Sequence, residues 1–110
     1  MSDREGLIWF NGKFIEWKDA NIHILSHGLH YASSVFEGER SYSGKIFKVR
    51  EHTERLFDSA KALDLKIPYS VDEIIEASRK ALELNNLTNA YLRPIVWRGE
   101  EMGVSAPNAK

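Results

Sequence analysis

An Asn11-Gly12 pair separates two apolar, aromatic-rich runs near the start of the chain, residues 7–10 and 14–17. Asparagine and glycine are the residues that most readily adopt the positive φ angles of a two-residue hairpin turn. The pattern therefore predicts a β-hairpin and favours antiparallel pairing for the first part of the chain. Residues 22–25, with the sequence Ile-His-Ile-Leu, are predicted to form another strand.

Two more extended segments follow from composition. Residues 35–42 and 46–49 flank a turn at residues 43–45, Ser-Gly-Lys, and predict a second hairpin. Residues 90–98 are rich in apolar and aromatic side chains and predict a last strand. Pro94 cannot donate to a sheet ladder, so this strand is expected at an edge or a bulge.

The middle of the chain changes from strand spacing to helical spacing at Glu51. This first helix is expected to run about four turns and to stop near Pro68, because a proline disfavours helical geometry in the residue before it. The apolar stripe of the helix is predicted to consist of His52, Leu56, Ala60 and Leu63.

A second helix is indicated by Ser70 and Glu73, which have the spacing of a capping box. Asn85 and Asn86 suit its end. Several strands, two helices and a strand, in that order, predict an α+β fold with an antiparallel sheet and two helices packed on one of its faces. We expect one domain over residues 1–98, and residues 99–110 to begin an interdomain linker.

Composition narrows the classes of function. The 110 residues include 15 basic and 16 acidic side chains, and no separate basic run indicates a nucleic-acid partner. Cysteine is absent, which excludes disulfides and agrees with a reducing compartment. The charged first residues are followed by only four apolar residues, so neither a signal peptide nor a membrane span is expected. These features predict a cytoplasmic protein without a membrane partner.

Three histidines are spaced so that a metal site is one hypothesis. His23, His27 and His30 lie four and three residues apart, as imidazoles on one helix face would. The segment carries strand and turn signals, however, and offers no obvious fourth ligand. The alternative, that these histidines bind the backbone in a tight loop, is favoured.

Three separated motifs together carry a family resemblance. They are H-G-L-H-Y-A-S-S-V-F-E-G-E-R at residues 27–40, F-K-V-R-E-H-T-E-R-L at residues 47–56, and A-Y-L-R-P at residues 90–94. In this order they resemble the N-terminal domain of branched-chain amino acid aminotransferases, which are fold-type-IV pyridoxal-phosphate enzymes. The resemblance is collinear from Ile8 to Val104.

This resemblance implies a cofactor ligand. Arg55 matches the family arginine that binds the phosphate of pyridoxal 5'-phosphate, and a guanidinium can pair with phosphate through two parallel hydrogen bonds. The alternative is a surface ion pair with Glu51, four residues earlier on the same helix. We expect Arg55 to face the same cleft as the substrate residues.

The resemblance also implies a substrate pocket, in which an apolar wall must accept leucine-like side chains and a charged rim must accept glutamate. Tyr91 matches a residue that helps to hold the substrate α-carboxylate, and Arg93 matches the one that receives the distal carboxylate of glutamate. Tyr31 and Val104 match residues that reach the pocket of a partner subunit, which implies a dimer-based homo-oligomer. The pocket wall is implied to contain Phe36, Gly38 and Arg40, which a single strand would place on one face.

Glu39 departs from the family pattern, since many relatives carry an aliphatic residue there. Strand alternation predicts that its side chain faces away from Phe36 and Arg40. It is expected to pair with solvent or with another residue.

The family implies transfer of an amino group between leucine, isoleucine or valine and 2-oxoglutarate. The lysine that forms the Schiff base in this family matches none of the lysines present, so no catalytic residue is assigned, and the 110 residues alone are expected to be inactive and to lack bound cofactor. D-amino acid aminotransferase and aminodeoxychorismate lyase are alternatives within the superfamily, although V-F-E-G-x-R with Y-L-R-P favours the branched-chain type. A noncatalytic oligomerising module is an alternative from another class.

Overall fold

The computed structural model describes residues 5–99. The predicted α+β class is confirmed, but the part of the chain described contains three α-helices, and its strands are distributed over three small antiparallel sheets. One sheet pairs β1 with β2, the second pairs β3 with β7, and the third has the order β5-β4-β6. The strands are β1 Leu7–Phe10, β2 Lys13–Glu16, β3 Ser34–Phe36, β4 Glu39–Tyr42, β5 Lys45–Ile46, β6 Ala90–Leu92 and β7 Ile95–Trp97, and the helices are α1 His27–Tyr31, α2 Val49–Ala62 and α3 Val71–Leu84.

The predicted first hairpin is confirmed. Asn11 and Gly12 both have positive φ, 50° and 91°, as a type I′ turn requires. The side chain of Asn85, at the end of α3, both donates to the carbonyl oxygen of Leu7 at 2.9 Å and accepts from its N–H at 2.7 Å. This pair of hydrogen bonds connects the hairpin to the C-terminal end of α3.

The predicted strand at residues 22–25 is wrong. A turn precedes α1 there, and the side chain of Ile24 is 74% exposed. Local hydrogen bonds replace a ladder, because the Leu25 N–H donates to Nδ1 of His23 and Nε2 of His30 bonds to the Ile24 carbonyl oxygen. The favoured backbone role of His23 and His30 is thereby confirmed, whereas Nδ1 of His27 bonds to Oγ of Ser33.

The two long predicted strands are each broken in the middle. Residues 35–42 divide between β3 and β4, and residues 90–98 divide between β6 and β7. The breaks face each other, since the Glu37 N–H donates to the Pro94 carbonyl oxygen at 3.0 Å. Proline lacks the N–H that would continue a ladder, so the pairing resumes in a different sheet on each side. The predicted strand at residues 46–49 ends at Ile46.

The first long helix has the predicted length of about four turns, with 14 residues, but it begins at Val49, before the predicted start at Glu51. It ends at Ala62 and not near Pro68, because Asp64 adopts a left-handed conformation and the Leu65 N–H returns to the Ala60 carbonyl oxygen. Leu65 is therefore buried, whereas Leu63, predicted to lie on the apolar stripe, is 42% exposed.

Helix α3 begins as predicted. The Glu73 N–H donates to Oγ of Ser70, and the Ser70 N–H donates to the Glu73 carboxylate, so the capping box is complete.

The buried apolar core lies between the two long helices and the sheets. An apolar cavity of about 760 Å³ is lined by residues of β1, α3, β6 and β7. No helix within residues 5–99 is long and apolar enough to cross a membrane. The core side chains are those of Leu56, Ala60, Leu65, Ile74, Ala77 and Leu82.

Candidate cofactor and substrate site

The segment from Phe36 to Arg40 alternates strictly between exposed and buried residues, although the strand is broken within it. Phe36, Gly38 and Arg40 are exposed, whereas Glu37 and Glu39 are only 5% and 2% exposed. The buried side faces the helix layer, where α2 packs on β3. The segment therefore presents two chemically different surfaces.

The exposed surface carries a compact group that we call the aromatic face: Phe36, Gly38, Tyr91 and Arg93. The Arg93 guanidinium carbon lies 4.1 Å from the centre of the Phe36 ring, a cation–π distance. Nε and Nη2 of Arg93 donate to the Tyr91 hydroxyl at 3.0 and 2.6 Å. A guanidinium is thereby held between an apolar ring and a phenol.

Gly38 lets this arrangement form. A Cβ atom built at this position would lie 2.7 Å from the Tyr91 hydroxyl oxygen. Any side chain here would therefore displace the hydroxyl that binds Arg93.

On the buried surface, Glu37 pairs with Arg55, the residue predicted to bind the cofactor phosphate. Nε and Nη2 of Arg55 donate to the two carboxylate oxygens of Glu37 at 2.9 and 2.7 Å, and Nδ1 of His52 lies 2.8 Å from the same carboxylate. The Arg55 hydrogen bonds lower the pKa of the Glu37 carboxyl and His52 adds to this, although burial opposes both. Glu37 in turn raises the pKa of Arg55. We call Arg55, Glu37 and His52 the arginine brace.

A cavity of about 230 Å³ adjoins the brace and is lined by Lys48, Glu51, His52 and Arg55. Three of the four lining side chains are basic or can become so. The Arg55 side chain remains 67% exposed despite its ion pair. The site can therefore offer guanidinium hydrogens to an anion that arrives from solvent.

Comparison with known proteins decides the family. The profile of the family described as "Amino-transferase class IV" matches residues 34–110, more than half of the chain. This chain belongs to the class IV aminotransferases. Both halves of the site, from Phe36 to Arg55 and from Tyr91 to Arg93, lie inside the matched region.

Relatives within the class IV aminotransferases include the "Probable branched-chain-amino-acid aminotransferase" of Rickettsia felis, 56% identical over 86% of this chain and 32% of the relative. The "Branched-chain-amino-acid aminotransferase" of Pseudomonas aeruginosa is 50% identical over 100% of this chain and 38% of its own length. A solved T.th. branched-chain amino acid aminotransferase complexed with N-(5'-phosphopyridoxyl)-L-glutamate superposes with a TM-score of 0.89 and 40% identity, covering 97% of this chain and 38% of that one. The chain thus spans about a third of the length of the relatives that it matches.

The structure brings together four of the substrate residues predicted for this class IV aminotransferase, those of the aromatic face. Arg40 lies opposite Tyr91 in the β4–β6 register. The ring of Tyr31, on α1, lies 4.5 Å from that of His27 and is 57% exposed. Val104 lies outside the described residues.

Arg55 forms a separate group from the aromatic face. It pairs with Glu37, which is buried, whereas Phe36 next to it in sequence is exposed. The ion pair is with Glu37 and not with Glu51, the partner considered from helical spacing. The shared cleft and the roles of the site residues stay predictions.

Sequence reasoning missed the roles of Glu37 and His52. Glu37 lies inside the V-F-E-G motif, and His52 precedes Arg55 by three residues on α2, which places the two side chains on neighbouring positions of the helix surface. These signals were present, but the ion pair joins residues 18 positions apart. Helical spacing alone could not find it.

The expectation that Glu39 pairs with solvent or with another residue is wrong for the described residues. As predicted, its side chain faces away from the exposed residues Phe36 and Arg40, but it is only 2% exposed and so is not solvated. Within residues 5–99, neither carboxylate oxygen has a hydrogen-bond partner. Burial raises the pKa of the Glu39 carboxyl, which His52 opposes and the Glu37 charge reinforces.

Proposed function

We propose that this chain is the N-terminal domain of a branched-chain amino acid aminotransferase, which transfers the amino group between leucine, isoleucine or valine and 2-oxoglutarate. The observation that carries the proposal is the aromatic face. One pocket must accept both an apolar side chain and the distal carboxylate of glutamate. An aromatic ring with a guanidinium 4.1 Å above it supplies both kinds of surface in one place.

Each side chain of the aromatic face has a distinct part in this proposal. Phe36 forms the apolar wall for the branched side chain. Arg93 receives the distal carboxylate of glutamate, for which a planar guanidinium has matching geometry. The Tyr91 hydroxyl helps to hold the substrate α-carboxylate while it keeps Arg93 in position. Arg40, opposite Tyr91, and Tyr31 are proposed to complete the substrate surface.

Pyridoxal 5'-phosphate is the proposed cofactor, and the arginine brace fits its phosphate. Arg55 combines an exposed side chain with a permanent charge, and Glu37 fixes one edge of its guanidinium. When bound, the cofactor stabilises the negative charge that develops at the substrate α-carbon. The amine that attaches it is proposed to come from outside these 110 residues, as the greater length of the relatives suggests.

The proposed assembly is a dimer-based homo-oligomer. Support comes from a run of exposed apolar side chains that includes Ile24 at 74%, Leu29 at 59% and Tyr31 at 57% exposure. A cytoplasmic location is also proposed, and the absence of cysteine agrees with a reducing compartment. Residues 1–98 are proposed as one domain that leads into a linker.

A fusion tests the activity. We define the fusion enzyme as this chain joined to the part of the Pseudomonas aeruginosa relative that the chain does not match. We expect it to bind pyridoxal 5'-phosphate and to transfer the amino group of L-leucine to 2-oxoglutarate. Activity with D-alanine and not with L-leucine would favour a D-amino acid aminotransferase. A folded, self-associating fusion without cofactor absorbance would favour the noncatalytic module.

A further inference from the structure

The guanidinium of Arg55 is held along one edge only. Nε and Nη2 are both bound to Glu37, whereas Nη1 has no hydrogen-bond partner in the part of the chain that the structure describes. A guanidinium is planar and its donors have fixed relative directions. Two bonds on one edge therefore set the direction in which the remaining donors point.

Glu37 is itself fixed at both ends. Its side chain is only 5% exposed and also contacts Nδ1 of His52 at 2.8 Å. Its backbone N–H donates to the Pro94 carbonyl oxygen at 3.0 Å, where the two broken strands face each other. The carboxylate that holds Arg55 is thus anchored to α2 and to the sheets.

We propose that Glu37, supported by His52, is a positioning residue that orients Arg55 for the phosphate of the cofactor. This inference rests on the proposed function, in which Arg55 is the phosphate ligand. A free arginine on an exposed helix surface samples many rotamers and loses that freedom when it binds an anion. The arginine brace removes this loss in advance, as preorganised sites do.

Two effects of Glu37 oppose each other. Its carboxylate repels an incoming phosphate, and its bidentate bond orders the arginine that binds it. Because the Arg55 side chain is 67% exposed, water and salt screen the repulsion. The orientation of the guanidinium has no such screening, so we expect ordering to dominate.

The first measurement is nuclear magnetic resonance of the Arg55 side chain in the 110-residue protein, without ligand. The Nε–H signal should be protected from exchange with water in the unmodified protein and should lose protection in Glu37→Gln. In His52→Leu the protection should fall in part, and His52→Asn, which replaces Nδ1 by an amide nitrogen, should restore it. Equal protection in all four proteins would overturn the inference.

The second measurement is titration of the same proteins with inorganic phosphate. Glu37→Gln should weaken phosphate binding about tenfold, the scale at which loss of an orienting partner acts at other ligand sites. Glu54→Gln is the matched control, because Glu54 is exposed on α2 next to Arg55 and its loss changes the net charge as much as the loss of Glu37 does. It should leave binding unchanged or slightly tighter.

The outcomes separate this inference from the proposed function. If Glu37→Gln binds phosphate more tightly, Glu37 acts only as a competing charge and the inference is wrong. If Arg55→Ala leaves phosphate binding unchanged, or if neither the unmodified protein nor the unmodified fusion enzyme binds phosphate, the phosphate site itself is wrong and the inference fails with it. Loss in Arg55→Ala with no change in Glu37→Gln overturns positioning alone. A circular dichroism spectrum of each variant identifies any that has not folded, and His52→Leu then carries the test.

Discussion

The two surfaces of the segment from Phe36 to Tyr42 reverse the usual distribution of side chains on a half-buried strand. The odd-numbered residues Glu37, Glu39 and Ser41 are buried, whereas Phe36 and Tyr42 are 53% and 58% exposed. A strand with one face on a core normally buries its apolar residues. The exposed aromatic residues are therefore available to a ligand, as the proposed function requires, and the buried polar residues need specific partners to offset their burial.

The buried surface also contains a contrast between two glutamates. Glu37 has three charge-assisted contacts with Arg55 and His52, and Glu39 has none within the described residues. The pKa of Glu37 is lowered and that of Glu39 is raised. A partner, and not burial alone, therefore decides whether a buried carboxylate contributes to stability or opposes it.

The largest effect on stability is expected at the buried end of the segment. Oγ of Ser41 donates to the Thr88 carbonyl oxygen at 3.1 Å and accepts from the Ala90 N–H at 2.9 Å. Ser41→Val should lower the free energy of unfolding by about 2 kcal/mol, because the Ala90 N–H loses its side-chain acceptor, whereas the Thr88 carbonyl oxygen still accepts from the Gly44 N–H. Urea denaturation measures this change. The adjacent exposed residue supplies the control, Tyr42→Val, for which an equal loss would remove the distinction between the two surfaces.

The next effect is the dependence of stability on pH at Glu39. Its folded pKa lies above the unfolded value, so the folded state holds more protons, and the free energy of unfolding falls as the pH rises from about 4.5 through the folded pKa. Glu39→Gln should abolish this fall and stabilise the protein at neutral pH by about 1–2 kcal/mol, since an ionised carboxylate without a partner is no longer buried. Urea denaturation from mildly acidic to mildly alkaline pH provides the measurement. A variant with the same pH profile as the unmodified protein would show that Glu39 has a partner in solution.

Glu37 should have the opposite pH dependence. Its folded pKa lies below the unfolded value, so its contribution is present above about pH 4.5 and is lost as the pH falls through the folded pKa. In Glu37→Gln, the free energy of unfolding should no longer show this fall at acid pH. The same series of urea denaturations measures it, and the expected result would support the ion pair. An unchanged acid limb would contradict it.

How much the sequence revealed depends on how local each signal is. The Asn11-Gly12 hairpin and the Ser70 capping box are decided by residues adjacent in the chain, and both were predicted correctly. Helix α1 was missed because long-range bonds hold its first turn, from the His27 and Gly28 N–H groups to carbonyl oxygens of Gly99 and Arg98. Nothing in its own five residues distinguishes it from a loop.

In the site, too, local signals were predicted correctly and contacts between distant segments were missed. The motifs identified the residues of the aromatic face, and strand alternation correctly separated Glu39 from Phe36. For Pro94 the expected edge position is confirmed, since β6 and β7 are both edge strands. The breaks at Gly38 and Pro94 themselves were not predicted, because they depend on a hydrogen bond between segments that are far apart in the chain. The Glu37–Arg55 pair was missed for the same reason.

The smallest effect on stability is expected on the aromatic face. Phe36→Ala should change the free energy of unfolding by only about 0.5 kcal/mol, because Phe36 is 53% exposed and its contact with Arg93 is open to solvent. Urea denaturation measures it beside Ser41→Val. A loss as large as that of Ser41→Val would show that Phe36 is a structural residue and not a free pocket wall.

The most direct test of the proposed dual recognition is Arg93→Met in the fusion enzyme, with kcat/KM measured separately for L-glutamate and L-leucine. Methionine replaces the aliphatic part of the arginine side chain with an apolar chain of similar length and removes the guanidinium. We expect kcat/KM for L-glutamate to fall about 10- to 100-fold, the range expected for loss of a hydrogen-bonded charge, while the value for L-leucine stays nearly unchanged. An equal fall for both substrates would contradict it, because Arg93 would then hold the site together without distinguishing the two side chains.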